Sequence, residues 1–130
     1  PTLVSGNGSD QFIELMAPYG MDLEKVSDVP GEATAIKLVR SIFMKGLPAL
    51  FVEVLEAASI MKVDHLVLQS IATTMNACSF EQTFNRLVTG SANHAERRAH
   101  EMENVIDMLE SIQVKPTMSK ATHERLSWLE

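Results

Sequence analysis

Lys37, Ser41 and Lys45 recur at four-residue steps in a long helical stretch that begins Gly31-Glu32-Ala33-Thr34-Ala35-Ile36-Lys37. Residues four apart stack on one helical face, so this spacing makes a cationic, hydrogen-bonding edge. A lysine ammonium beside another cation and along a low-dielectric apolar helix is pushed toward neutrality, and such a lysine exchanges protons at physiological pH. A solvated lysine on a polar turn would show the same spacing. Lys37, Arg40 and Lys45 together favour an anionic small-molecule substrate, although solvated surface charges would look the same.

The element that must position these side chains reads as one helix over about residues 32–61, with Ile36, Val39, Phe43, Leu47, Leu50, Val54 and Met61 at three- and four-residue steps. That pattern predicts a buried helix, kinked near Met44-Lys45 by Pro48. Further helices are predicted at about 64–76, 79–89, 92–113 and 117–129. Asp64, Ser79 and Thr117 are suitable caps, and Gly90 and Pro116 suitable breaks. The first thirty residues differ in character. Thr2–Ser5 is β-prone and 21–26 alternates apolar with polar. Between them Ser9 offers a cap for a helix that Pro18 to Gly20 ends, which makes a β-α-β unit. Two strands and a short helix cannot cover both faces of a sheet, so a larger sheet is implied. Ser27 to Gly31 marks the expected boundary between a region 1–30 and an all-α region 31–130.

Other constellations carry less chemistry. Gly6-Asn7-Gly8 follows a strand and precedes a helix, but it lacks the third glycine and downstream acid of a dinucleotide fingerprint and reads as a plain turn. His65, His94, His100 and His123 contain no pair at three- or four-residue spacing, so no metal site is expected. Cys78 has no recognisable base and reads as buried filler. Glu53 lies on the densest apolar part of the long helix, where a carboxylate must be paired or protonated. It stands about 24 Å from Lys37 at the helical rise, too far for catalytic contact along that helix. It reads as the structural partner of a basic residue.

At 130 residues the chain suits one domain with a real core. A net charge of −6 argues against nucleic acid as the main partner. No run is long and uncharged enough to span a bilayer, and one cysteine fits a reducing compartment, so a soluble cytoplasmic protein is expected. The chain starts at proline and is expected to be a fragment.

From Gly31 to Asp64 the sequence resembles the β-hydroxyacid dehydrogenase superfamily, which includes 3-hydroxyisobutyrate and 6-phosphogluconate dehydrogenases. In that family the interdomain helix carries a glycine, the catalytic lysine six residues later, then a glutamate and an aspartate, and Gly31, Lys37, Glu53 and Asp64 fall at those places. Lys45-Gly46 and the stretch His94-Ala95-Glu96-Arg97-Arg98-Ala99-His100-Glu101-Met102 are similar to a subgroup of phosphogluconate-dehydrogenase-like oxidoreductases with a distinct C-terminal domain. The family's substrate-holding asparagine is replaced by Arg40 and Ser41, and Arg40 could grip a carboxylate or phosphate through its planar fork. Met44 stands where the decarboxylating enzymes carry a glutamate, and methionine cannot donate a proton. The later Lys-Asp-Leu motif is matched only by His100-Glu101-Met102.

The resemblance implies a mainly α fold, an all-α 6-phosphogluconate-dehydrogenase-like C-terminal domain preceded by the β-α-β remnant of a Rossmann domain. It implies an NAD(P)-dependent dehydrogenase acting on a small hydroxy acid, with Lys37 as general acid/base and Arg40, Ser41 and His94 positioning substrate. His100 would touch a cofactor, NAD or NADP, bound mainly outside this chain, and the protein would be a homodimer. A non-enzymatic helical dimerisation module, or a relative that has lost catalysis, would share the broad apolar faces and eight methionines.

Overall fold

The computed structural model describes residues 1–129. Strand β1 (Thr2–Ser5) leads through a glycine turn into helix α1 (Ser9–Met16), a 3-10 turn at Ala17–Tyr19, and strand β2 (Leu23–Ser27). The strands pair in parallel, Thr2 beside Leu23 and Val4 beside Lys25, with a shift of register before Ser5. Gly20 ends the 3-10 turn at φ 69°, a left-handed conformation that suits glycine. Lys25 donates to Asp10 and Asp28, and these hydrogen bonds, Asp10's first, hold its ammonium above the ordinary lysine range. The ion pairs tie α1 and the β2 exit together.

The helices that follow are α2 (Glu32–Ile60), α3 (Asp64–Met75), α4 (Phe80–Asn93), α5 (Ala95–Ser111) and α6 (Thr117–Trp128). The fold is mainly helical with a short two-stranded sheet, as the sequence implies. Pro48 lies inside α2. The chain divides into two compact units at that point, residues 1–47 and 48–130.

Three local expectations need correction. Gly90 does not break a helix, because α4 continues to Asn93. The Arg98 guanidinium lies 3.1 Å from where a Cβ on Gly90 would stand, so the missing side chain serves a close approach instead. Ser9, Asp64 and Thr117 each sit one residue inside their helices, whose cap positions are Gly8, Val63 and Pro116, without side-chain cap bonds. Ser79, by contrast, forms a full capping box with Gln82. Finally, α2 is not a buried helix over its first half: Leu38 is 63 % exposed, Val39 67 % and Ile42 75 %. Periodicity identifies an apolar face without identifying what covers it.

The core of the second unit gathers around Ala57 of α2, Leu109 of α5 and Val114, with Val105, Met108 and Ile112 packed against them. The end of α5 explains why Val114 is there. Gln113 takes the left-handed conformation at φ 64°, and the Val114 N–H then donates back to the Leu109 carbonyl at 2.9 Å. This reversal sets the apolar residue after the turn against the one three from the helix end. Among the described residues no helix is long and apolar enough to cross a membrane.

Candidate functional site

The start of α2 is fixed from outside itself. The Ala33 N–H donates to the Ser5 hydroxyl at 3.0 Å, so the end of β1 satisfies one of the orphan donors of the α2 N-terminus. Gly31, at φ 91°, makes the turn into the helix, and Glu32 places an acid on its first turn, where the helix dipole favours one. These contacts set α2 against β1 within the first unit. They aim the next turns of α2 along the strand.

Lys37 and Arg40 lie one turn apart and both line a cleft of about 580 Å³, whose other walls are Pro1, Thr2, Leu3, Ala33 and Ile36. No carboxylate lines it, so two cations face the space uncompensated by an acid. Arg40, three residues on, shares this cleft with Lys37, whereas Ser41 and Lys45, four and eight residues on, are not among its walls. The Ser41 hydroxyl donates to the Lys37 carbonyl at 2.9 Å, which spends its one proton inside the helix. Lys37 and Arg40 are both exposed within this chain. The low-dielectric setting expected for Lys37 is therefore not supplied by its own helix.

His94 and His100 belong to the second unit. His94 is exposed at the junction where α4 ends and α5 begins. His100 meets Glu103 through Nδ1 at 2.9 Å, and Glu103 also lies 3.5 Å from His123 Nε2 on α6. The His100 hydrogen bond, with burial opposing it and His123 adding to it, holds the Glu103 carboxyl below the ordinary range. Among the described residues no group of three or more histidine, cysteine or acidic side chains is placed to hold a metal ion.

Glu53 is buried, and its partner is not the basic side chain expected. Its Oε1 accepts from the Ser119 N–H at 2.9 Å and the Ser119 hydroxyl at 2.6 Å, while Oε2 accepts from the Met118 N–H at 2.6 Å. The carboxylate thus caps the N-terminus of α6 from another helix, which complements both the orphan N–H groups and the positive end of the dipole. Burial, the largest single influence, pushes the Glu53 pKa up. The hydrogen bonds from Ser119, Met118 and Thr117 together outweigh it and leave the group below its ordinary value.

The turn Gly6-Asn7-Gly8 is a plain turn, as its sequence implies. The Ser9 N–H donates to the Gly6 carbonyl at 3.0 Å, and the Gly6 N–H to the Ser27 carbonyl at 3.1 Å. With those donors turned inward, this segment does not fit the pyrophosphate of a dinucleotide. The sequence also gave no hint that Ser5 anchors α2 or that residues 1–3 wall the cleft, because both depend on strand pairing brought about by later residues.

Comparison with known proteins agrees with this architecture. The profile of a domain of unknown function, DUF1932, matches residues 58–129. A protein of Methanothermus fervidus, named as an uncharacterized 28.5 kDa protein in the 7S RNA 5' region, is 26 % identical over 128 residues, covering 98 % of this chain and 50 % of its own length. The crystal structure of a conserved hypothetical protein from Sinorhizobium meliloti 1021 is 30 % identical with a TM-score of 0.52, covering 96 % of this chain and 42 % of that one. The structure of MTH1747, described as similar to 3-hydroxyacid dehydrogenases, is 33 % identical with a TM-score of 0.53, covering 98 % of this chain and 48 % of that one. The chain therefore spans about half the length of these relatives or less. It belongs to the DUF1932 family and corresponds to the C-terminal part of a protein of the β-hydroxyacid dehydrogenase superfamily.

Proposed function

We propose that this chain supplies the proton-transfer side of a dehydrogenase acting on a small anionic hydroxy acid. The observation that carries the proposal is the cleft beside β1, where Lys37 and Arg40 stand together without an acid. The Arg40 guanidinium holds the substrate's carboxylate or phosphate through paired hydrogen bonds. The Lys37 ammonium, one turn away, exchanges a proton with the reacting hydroxyl or carbonyl. Ser41, whose proton is committed to the Lys37 carbonyl, serves at most as an acceptor, and His94 would add a further polar contact to substrate. The nicotinamide cofactor, NAD or NADP, would supply the hydride-accepting ring and bind mainly outside this chain. His100 is the residue here assigned toward it.

Exposure of Lys37 within this chain has a direct bearing on the chemistry. A fully hydrated lysine is a poor base at neutral pH, so the rest of the protein must close over the cleft and strip its water. Lys37→Ala in the full-length protein is expected to lower kcat by roughly 10²–10⁴-fold with cofactor affinity nearly unchanged. Arg40→Ala should instead raise KM for an anionic substrate more than it lowers kcat. Steady-state kinetics with cofactor titration separates the two, and ordinary turnover by the Lys37 variant would remove the catalytic assignment.

A further inference from the structure

Helices α3 and α4 are 12 and 14 residues long, lengths at which an isolated helix is marginal in water. They must therefore bury an apolar face against something. Within this chain they scarcely do: α3 has no buried residue and α4 buries only Thr83. Their apolar side chains are nevertheless ordered into faces. Phe84, Leu87 and Val88 recur at three- and four-residue steps on α4, and Leu66, Leu68 and Met75 lie on α3, all exposed. The Arg86 guanidinium donates to the Thr74 carbonyl at 3.3 Å, which links α4 to the end of α3.

The same unit leaves an apolar groove open. It measures about 210 Å³, and its walls include Leu50, Val54, Ala57 and Met61 of the α2 end with Val105 and Met108 of α5. Glu53 and Ser119 also border it, but they are already bonded to one another. The groove therefore offers no free polar group to select a polar ligand, and only apolar surface fits it.

We infer that the α3–α4 segment of one copy of this chain packs onto a second copy, with Phe84, Leu87 and Val88 seated in the α2–α5 groove, and reciprocally. One chain carries both the unfilled groove and the unpartnered face in equal number. Exchange with an identical copy satisfies both at once, which is the isologous arrangement of a twofold dimer. The area is sufficient. Six partly exposed side chains on α3 and α4 offer on the order of 600 Å², and reciprocal packing against groove walls buries on the order of 2,000 Å² in total, the range of obligate homodimers. The inference is independent of the catalytic reading, since its readout is mass and not turnover.

The test is sedimentation equilibrium of the 130-residue protein across micromolar concentrations, with F84E on the helix face and M61E at the groove mouth. Both positions are exposed within one chain, so the charge leaves the fold of the monomer intact, and far-ultraviolet circular dichroism checks this. The expected result is a dimer for the unmodified protein and at least a hundredfold weaker association for each variant. Mixing the two variants should recover a dimer, because the helix face of M61E and the groove of F84E are both intact and one of the two contacts can re-form. A monomeric unmodified protein, an undisturbed F84E dimer, or a mixture with no dimer would each overturn the inference.

Discussion

Two pairs of helices in the same unit make opposite use of similar material. The α5–α6 pair and the α3–α4 pair carry comparable numbers of large apolar side chains. In the first pair Leu109 is 3 % exposed, Leu126 is buried, and Val114 between them is 2 % exposed. Glu53 caps α6 from α2, and Lys120 Nζ reaches Glu110 at 2.7 Å across the pair. In the second pair only Thr83 is buried, and one arginine-to-carbonyl bond joins the helices. Apolar content therefore does not decide what is buried within one chain. What decides it is whether a turn returns the chain onto its own apolar face, as the left-handed Gln113 does for Val114, and whether a small residue such as Ala57 lets the helices approach.

The largest effect should come from the closed side. Leu109→Ala removes side-chain volume from a site already packed by Ala57 and Val114, and is expected to cost about 2–5 kcal/mol of stability. Chemical denaturation with unchanged slope measures it, and a loss below about 1 kcal/mol would mean that this core is not closed.

Glu53→Ala comes next, at about 2–3 kcal/mol, because it strips a charge-assisted cap from three donors of α6. Its pH dependence has a definite sign. The folded Glu53 pKa lies below the ordinary 4.5, so the stabilisation is fully present above pH 4.5 and is lost as pH falls through the folded value. Glu53→Gln should show no such loss over that window, and a parallel acid titration of both proteins shows whether Glu53 is the group responsible.

Ser79→Ala, which removes the capping box of α4, should cost about 1 kcal/mol. Leu66→Ser on α3 sharpens the comparison most finely. At concentrations where the protein is monomeric it should change stability by less than about 0.5 kcal/mol. Its cost should grow with protein concentration if α3 is covered by a second copy, whereas the cost of Leu109→Ala should not.

Much of this was legible in the sequence, and the exceptions share a cause. Helix positions followed from three- and four-residue steps, and the Ser79 capping box from its neighbour three residues on, because those signals are local. The grouping of Lys37 with Arg40 in one cleft follows from their spacing on a helix. Gly90 was misread as a break because its purpose is the Arg98 guanidinium, which belongs to the next helix. Glu53 was assigned a basic partner because nothing near it in sequence announces the N-terminus of α6. The apolar edge of early α2 was read as buried because a periodic pattern names a face and leaves its cover unnamed. The resemblance carried by Gly31, Lys37, Glu53 and Asp64 pointed to the right superfamily, although Glu53 is occupied in holding α6.

The reach of the Glu53 contact also bears on the order in which the chain is made. Met118 and Ser119 lie 65 and 66 residues downstream of the carboxylate they cap. While the ribosome is still extending the chain through α5, Glu53 has no α6 to meet, and sealing it into apolar surroundings would strand a charge. The α2 end must then stay loosely packed, or keep that side chain wet, until Thr117 and the residues after it have left the exit tunnel. Closure of this unit is thereby timed to the completion of its last helix, and a nascent chain arrested before Thr117 should remain open to protease around residues 50–60.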